Sequence, residues 1–361
     1  MKIACSYNPN FIISDDLLQP DVELMEVGLT AYRRVFSREK QFTLSYENDI
    51  SVHISRSPIT EARYAQDIFI EEKLAPLYDD DRVISIGFHL CGERRNKIGK
   101  LGFSSHYNAT DVAERQAVGF ITSIRNHSGK KVWIENANFY SKSAREIFKT
   151  WKSIAAITDE SDAGLIIDLS HLIIDSHNAR IPAEAAIGLI PWDKVVEVHL
   201  SGIITGKDGA MHDSHGTPVA SAAWKLLEEL LSSRLISEAT YVNIEHSDEE
   251  WEHSVARYKA DFDNLRRIQT ATGPEKEVID HSTRYAENYL KKILKSTISN
   301  WPEIVEEDGR SETQLLSDWL TYIDKQEKRI SLSEEELDSE MKKSSVYFID
   351  SFSDFVNLKT K

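Results

Sequence analysis

Several short apolar runs in this sequence end on a carboxylate or an imidazole, the side chains that bind metal ions and transfer protons. The clearest run is Gly164-Leu-Ile-Ile-Asp168-Leu-Ser-His171. An apolar run of this length, bounded by Ala-Gly and by polar residues, predicts a buried strand of a parallel sheet. Asp168 then ends the strand and His171 lies just beyond it, at the edge where α/β folds carry their active sites.

The same arrangement recurs at every predicted strand from the third onward. In chain order the candidate ligands are His53, His89, Glu135, Asp168, His171, His199, Asp213, His215 and Glu245. Nine such residues at the ends of six consecutive strands and on one following loop are difficult to attribute to chance in a chain with 12 histidines. Imidazole and carboxylate ligands suit Fe, Mn or Zn rather than an ion bound by thiolates. The set predicts a metal centre at one rim of the fold.

Strand adjacency suggests how these ligands divide among ions, since neighbouring strands lie about 5 Å apart. The first predicted group is His53, His89 and Glu135. The second, with Glu135 bridging, is Glu135, Asp168, His199 and Glu245. The third, reaching in from loops, is His171, Asp213 and His215. Three protein ligands leave positions open for substrate or oxygen, so we predict that the third group is the catalytic one.

Other polar residues flank the candidate ligands. Asn136, Asn138 and Asn178 are predicted to orient the substrate or the ligands through their amides. His212 and His246 are left out, because strand alternation points each away from the side that its neighbour faces.

The elements that position these residues alternate between strand-like and helical patterns. The eight predicted strands are Ile3 to Tyr7, Leu24 to Val27, Ile50 to Ile54, Val83 to Leu90, Lys131 to Glu135, Leu165 to Leu169, Val195 to Leu200 and Tyr241 to Glu245. Predicted helices between them include Ile59 to Leu77, Ala109 to Asn126, Ser143 to Ile157 and Ala222 to Ser232. This alternation predicts an α/β fold, a (β/α)8 TIM barrel. A doubly wound open sheet is the alternative.

The alternation of strand-like and helical patterns ends at Gly273-Pro274, which predicts a second region after this turn. We assign residues 1–270 to the metal-dependent barrel and residues 275–361 to a helical C-terminal extension. The sequence leaves open whether this extension binds a partner, a peptide or neither.

Composition limits the classes of partner and the compartment. A net charge of −16 argues against nucleic acid, and no apolar run reaches the length of a membrane span. Two cysteines and the absence of a secretion-type apolar core at the start indicate a cytoplasmic protein. One basic cluster, with Arg94, Arg95 and Lys97, is either a solvated loop or a clamp for an acidic group.

Four motifs resemble the MbnB/TglH/ChrH family of multinuclear non-haem iron enzymes, which modify natural-product peptides. They are Trp133-Ile-Glu135-Asn136-Ala-Asn138, Ile167-Asp168-Leu-Ser-His171, Val196-Glu197-Val198-His199-Leu200-Ser-Gly202 and Asp213-Ser-His215-Gly216-Thr-Pro218-Val219. The resemblance spans Met1 to Ile268 and is most specific from Glu135 to Val219.

The resemblance implies a barrel with two or three irons, Fe2+ or Fe3+, and dioxygen as co-substrate. It implies oxidation of a cysteine in a ribosomally made precursor peptide, often with a small partner protein or a leader-recognition domain. All nine candidate ligands match the family's ligands by position. The region after Pro274 departs from the family pattern.

Two other metal-dependent barrels carry similar ligand types. An endonuclease-IV-like barrel uses three zinc ions on abasic DNA, but its substrate needs a basic groove. A xylose-isomerase-like sugar isomerase or epimerase would use one or two metals and leave His171, Asp213 and His215 unexplained. A metal-dependent scaffold without catalysis is a third reading.

Overall fold

Eight parallel strands close into a barrel in the computed structural model, which describes residues 1–12, 17–36, 49–92, 106–138, 143–179, 183–207 and 209–271. The barrel strands are β1 (Lys2–Ser6), β2 (Leu24–Gly28), β3 (Asp49–Ile54), β4 (Val83–His89), β5 (Lys131–Glu135), β6 (Gly164–Asp168), β7 (Val195–Leu200) and β10 (Tyr241–Ile244). The β1 strand pairs with β2 on one side and with β10 on the other, so the sheet has no free edge. The doubly wound alternative is therefore wrong.

Helices cover the outside of the barrel. They are α1 (Leu29–Ala31), α2 (Arg63–Phe69), α3 (Ala75–Tyr78), α4 (Asp111–Ser128), α5 (Ala144–Ser161), α6 (Leu169–Asn178), α7 (Glu184–Ile187), α8 (Ser221–Ser232) and α9 (Val255–Ala271). Two π-helical turns follow α1 and α2, at Tyr32–Phe36 and Ile70–Leu74. Short 3-10 turns lie at Pro9–Ile12, Trp192–Lys194 and Glu249–His253. None of the helices in the described ranges is long and apolar enough to span a membrane.

Period-two alternation along the strands separates an apolar outer face from a mixed interior. At the amino ends of the strands the interior is filled by an apolar cluster that includes Ala4, Leu24, Trp133 and Ile166. Towards the carboxyl ends, the buried interior residues are acidic or histidine side chains such as Glu135. The apolar layer therefore closes one end of the barrel, and the ionisable groups collect at the other.

The predicted strands agree with the structure to within one residue at each end. Two strands were not predicted: β8 (Gly202–Thr205) and β9 (Met211–Ser214) form an antiparallel hairpin after β7. The basic cluster at Arg94 and Arg95 and the extension at 275–361 lie outside the described residues. Their assignments stay predictions.

Candidate metal centre

The carboxylate of Glu135, at the end of β5, lies at the centre of the site and is fully buried. Its Oε2 atom lies 2.9 Å from His53 Nε2 and 3.2 Å from His89 Nε2. Its Oε1 atom lies 3.1 Å from His171 Nδ1. Imidazoles from β3, β4 and α6 thus surround one carboxylate.

Strand register accounts for the first predicted group. His89 on β4 pairs directly with Glu135 on β5. His53 on β3 pairs with Gly87, which also lies on β4. A Cβ atom on Gly87 would lie only 3.2 Å from His53 Nδ1. Glycine at this position therefore leaves room for the His53 ring to lie across β4 and reach Glu135. Ligand atoms of His53, His89 and Glu135 all lie within 4.8 Å of one another.

The second predicted group gathers around His199 on β7. Ligand atoms of Glu135, Asp168 and His199 lie within 4.8 Å of one another, and Asp168 pairs with His199 in register. Glu245 follows the last residue of β10, and its Oε1 lies 3.3 Å from His199 Nδ1. The four residues of this group are thus adjacent, with Glu135 next to the first group as predicted.

Two members of the third group lie on a helix and on a hairpin strand rather than on loops, and His215 lies in the turn after β9 as predicted. His171 lies in the first turn of α6, because the Asp168 side chain caps this helix. Asp213 lies on β9, and its Oδ2 atom is 2.8 Å from His215 Nε2 and 3.6 Å from His171 Nε2. The Ser201 hydroxyl donates to Asp213 Oδ1, which leaves Oδ2 directed at the two histidines.

Hydrogen bonds behind the histidines determine which ring nitrogen each presents to the site. His53 Nδ1 lies 2.7 Å from Glu26 Oε2, and His215 Nδ1 lies 2.9 Å from Ser247 Oγ. His171 Nδ1 lies 3.1 Å from the carbonyl oxygen of Asn136. Nε2 of His53 and of His215 is left facing the carboxylates, whereas His171 faces Glu135 through Nδ1 and Asp213 through Nε2.

The residues present fit a metal cluster. Buried atoms without a hydrogen-bond partner among the described residues include His53 Nε2, both oxygens of Glu135, Asp168 Oδ2, His199 Nδ1 and Glu245 Oε2. Leaving so many buried polar atoms unsatisfied is costly. Metal–ligand bonds of ~2.0–2.2 Å place neighbouring ligand atoms roughly 3 Å apart, close to the separations around Glu135. Cations between these atoms would satisfy all of them.

Burial and charge shift the ionisation of the ligands in opposite directions. Burial raises the pKa of Asp168 well above its usual value, and the nearby Glu245 and Glu135 add to this effect. Burial alone would also raise the pKa of Glu135, but the His89 and His53 imidazoles outweigh it and hold that pKa well below its usual range. Burial lowers the pKa of His53, yet Glu26 and Glu135 raise it to about 10. The carboxylates thus favour positive charge at this site, from protons or from metal ions.

The side-chain amides of Asn136 and Asn178 form hydrogen bonds with backbone groups. Asn136 accepts from the Asp168 N–H at 2.7 Å and donates to the Asp168 carbonyl at 3.0 Å. Asn178 makes the same pair of bonds with Met211, at 2.9 and 3.0 Å, which fixes the hairpin to the end of α6. Both amides therefore position ligands, and Asn138 is buried three residues past Glu135.

Two interior carboxylates are absent from the predicted set. Glu26 on β2 and Glu197 on β7 are buried, and both approach His199 Nε2. Each lies inside a strand rather than at its end, and alternation is the sequence signal that places it in the interior. His246, excluded by alternation, lies 2.8 Å from Asp261 Oδ2, in contact with Trp251.

A protein-family model provides the deciding comparison. The model described as "RiPP precursor modification enzyme MbnB/TglH/ChrH" matches residues 77–270. The chain belongs to this family. RiPPs are ribosomally synthesised and post-translationally modified peptides. All predicted ligands of this MbnB/TglH/ChrH protein except His53 lie within the matched residues. The resemblance found in the sequence is thus confirmed.

Curated relatives of this MbnB/TglH/ChrH protein are UPF0276 proteins. One from Acaryochloris marina is 24% identical over 165 residues, which is 45% of this chain and 55% of that protein. One from Shewanella loihica is 26% identical over 118 residues, which is 33% of this chain and 42% of that protein. The chain spans about half the length of the curated relatives it matches.

Solved structures with a similar fold include a D-psicose 3-epimerase crystallised with D-fructose. It has a TM-score of 0.44 and 14% identity, covering 76% of this chain and 100% of that one. A xylose isomerase domain containing protein from Salmonella typhimurium has a TM-score of 0.46 and 11% identity, covering 75% and 97%.

Proposed function

We propose that this protein is a multinuclear non-haem iron enzyme that uses dioxygen to oxidise a cysteine of a ribosomally synthesised precursor peptide. The observation that carries the proposal is the Glu135 carboxylate, buried among three imidazoles with both oxygens unsatisfied among the described residues. Membership of a family of RiPP precursor modification enzymes supports the peptide as substrate.

The ligands would divide among the ions as their positions suggest. One ion would be held by His53, His89 and Glu135, and a second by Glu135, Asp168, His199 and Glu245. A third would be held by His171, Asp213 and His215. Imidazole and carboxylate ligands without thiolate suit Fe, Mn or Zn, and we propose iron because the resemblance to the family implies it. When bound, such ions supply Lewis-acid and one-electron redox chemistry toward a thiol and dioxygen.

Exposure distinguishes the group that a substrate can reach. The side chains of Asp213 and His215 are 21% and 31% exposed, whereas those of Glu135 and His199 are fully buried. His89 of the first group is 14% exposed and His171 of the third group only 5%, so the most exposed members of the ligand set described here are Asp213 and His215. We therefore assign His171, Asp213 and His215 as the catalytic group that receives the peptide.

The reacting sulfur must come from the substrate. Cys5 and Cys91 are both buried, and burial raises the pKa of each thiol. A buried thiol of high pKa is a poor nucleophile and a poor ligand. The protein's own cysteines therefore do not serve as the substrate.

Peptide binding is assigned to residues outside the described ranges. The basic cluster with Arg94 and Arg95 would attract an acidic peptide to a protein whose net charge is −16. A leader-recognition protein, or the extension at 275–361, would hold the rest of the precursor.

The test begins with the full chain purified without oxygen. Elemental analysis and Mössbauer spectroscopy should find two or three irons per chain. A Cys-containing peptide encoded beside the gene should then consume dioxygen and change mass, and its Cys→Ser version should do neither. Zinc in place of iron, with cleavage of abasic DNA or isomerisation of a sugar, would contradict the proposal.

A further inference from the structure

The carboxylate of Glu26 lies beneath the metal ligands and contacts two of them from behind. Its Oε2 atom is 2.7 Å from His53 Nδ1 and 3.1 Å from His199 Nε2. The opposite nitrogens of the two rings face Glu135 Oε2, His53 Nε2 at 2.9 Å and His199 Nδ1 at 3.8 Å. Glu26 is buried on β2 and belongs to none of the three ligand groups described above.

In the proposed function His53 and His199 are assigned to different ion positions, although ligand atoms of Glu26, His53 and His199 also lie within 4.8 Å of one another. His53 lies with His89 and Glu135, whereas His199 lies with Asp168 and Glu135. A neutral imidazole carries one proton, so an acceptor behind one nitrogen leaves the other free to bind a metal ion. The same carboxylate oxygen therefore favours His53 Nε2 and His199 Nδ1 as the ligand atoms for two neighbouring ions.

Neighbouring polar groups hold Glu26 in this position. Ser6 on β1 pairs with Glu26 in register, and its hydroxyl donates to Oε1 at 3.3 Å. The Asn243 amide lies 3.4 Å from His199 Nε2 and 3.4 Å from Ser6 Oγ. The atom of Asn243 near His199 is Nδ2, and an amide can present either its accepting oxygen or its donating nitrogen to a ring nitrogen, whereas the ionised carboxylate can only accept. Glu26 therefore faces the rear nitrogens of both His53 and His199 with an accepting oxygen.

We propose that Glu26 is a positioning residue shared by two ion positions, fixing the metal-binding nitrogen of His53 and of His199 through one carboxylate. This inference rests on the metal centre of the proposed function. Loss of the carboxylate should weaken both ions together, because each histidine would lose the acceptor that orients its ring.

Glu197 offers a matched comparison. It is fully buried at the same level of the barrel, and its Oε1 atom lies 3.5 Å from His199 Nε2. Within the described ranges no ion-pair contact joins Glu197 to His53. Replacing Glu197 should therefore affect the ion bound by His199 and not the ion bound by His53.

The experiment measures Co2+ binding to the full chain without oxygen, by titration against a chelator and by the visible absorption of the bound Co2+. Glu26→Gln keeps the shape and can place an accepting oxygen against both rings, but it removes the negative charge, whereas Glu26→Ala removes the acceptor as well. We expect Glu26→Gln and Glu26→Ala to weaken two ions by roughly 10–100-fold each and to change their spectra. Glu197→Gln should weaken the binding of one ion. Glu23 is half-exposed and directly precedes β2, so Glu23→Gln should bind Co2+ as the wild type does.

Ser6→Ala covers the case in which the Glu26 variants do not fold, as judged by circular dichroism of the metal-free chains. It keeps the carboxylate and removes the hydroxyl that holds Oε1, so a smaller loss at the same two ions is expected. If the Glu26 variants fold and bind both ions with wild-type affinity, the inference is overturned. If only Ser6→Ala folds, wild-type affinity for both ions in that variant overturns it. Loss of one whole ion with the others unchanged would also overturn it, since Glu26 would then be a ligand.

These outcomes are separate from those that test the function. Wild-type protein that binds its ions and responds to Glu26→Gln, yet leaves Cys-containing peptides unchanged, would contradict the function and keep this inference. If the wild-type protein oxidises a peptide cysteine but folded Glu26 variants bind Co2+ unaltered, the proposed function is kept and this inference is contradicted.

Discussion

Asp168 Oδ1 accepts a hydrogen bond from the backbone N–H of His171 at 2.6 Å, so the carboxylate that ends β6 also caps α6. The other oxygen, Oδ2, faces the ligand set without a hydrogen-bond partner among the described residues. One side chain therefore joins the second ion position to the helix that carries His171. The capping and metal-binding roles can be separated by substitution.

Asp168→Asn should keep the cap and weaken binding of the second ion, because asparagine caps helices as well as aspartate but lacks the charge. Asp168→Ala should lose both and unfold about 0.5–2 kcal/mol more readily than Asp168→Asn as metal-free protein. Chemical denaturation and metal analysis of the two variants check this. Equal metal-free stability would show that the cap contributes nothing.

Gly87→Ala should displace the His53 ring. The added Cβ would lie 3.2 Å from His53 Nδ1 and 3.3 Å from Ile166 Cδ1. We expect a loss of about 1–3 kcal/mol in the free energy of unfolding and weaker binding of the ion at His53.

The matched control is Gly119→Ala in α4, where an added Cβ meets nothing within 4 Å. Alanine there should stabilise the helix by about 0.5–1 kcal/mol without altering metal binding. Thermal unfolding and Co2+ titration of both variants provide the measurement. Unchanged Co2+ binding in Gly87→Ala would contradict the account of the His53 ring.

Asn178→Ala should loosen the β8–β9 hairpin, because both hydrogen bonds between its amide and Met211 are lost. Asp213 lies two residues further along β9, so the third ion should bind less tightly while the other two stay unchanged. Asn178→Asp, which can still accept from the Met211 N–H, should have a smaller effect. Hydrogen exchange at the Met211 amide checks the loosening, and protection equal to wild type would exclude it.

Acid should remove a stabilising interaction far from the metal ligands. Burial alone would raise the pKa of Asp80, but Arg82 and the Tyr32 hydroxyl lower it to about 2. Because the folded pKa is depressed, the stabilisation is present above the unfolded pKa of about 3.9 and is lost as pH falls towards 2.

Asp80→Asn should therefore cost about 1–2 kcal/mol at pH 7 and progressively less as the pH falls below 4. Urea unfolding of wild type and variant across this range tests it. A stability difference that stays constant from pH 7 to pH 3 would contradict the assignment.

Much of the barrel, and the gathering of the predicted ligands at one rim, could be predicted from sequence, because each strand is a short apolar run and most predicted ligands lie at or just beyond a strand end. Three features needed tertiary structure. The β8–β9 hairpin has two four-residue strands with little apolar alternation, so Asp213 was placed on a loop. The sequence pattern also predicts a loop at His171, whereas the Asp168 cap starts α6 immediately after β6. Glu26 meets His199 only because the closed barrel brings β2 and β7 together.

The most direct test of the central claim is the identity and number of the metal ions in wild-type protein purified without oxygen. Elemental analysis should be combined with Mössbauer spectroscopy, and a Glu135→Gln variant should be measured alongside. We predict two or three irons per chain in wild type, and loss of the ions that share Glu135 in the variant. No more than one ion in wild type, or zinc without iron, would contradict a multinuclear iron centre.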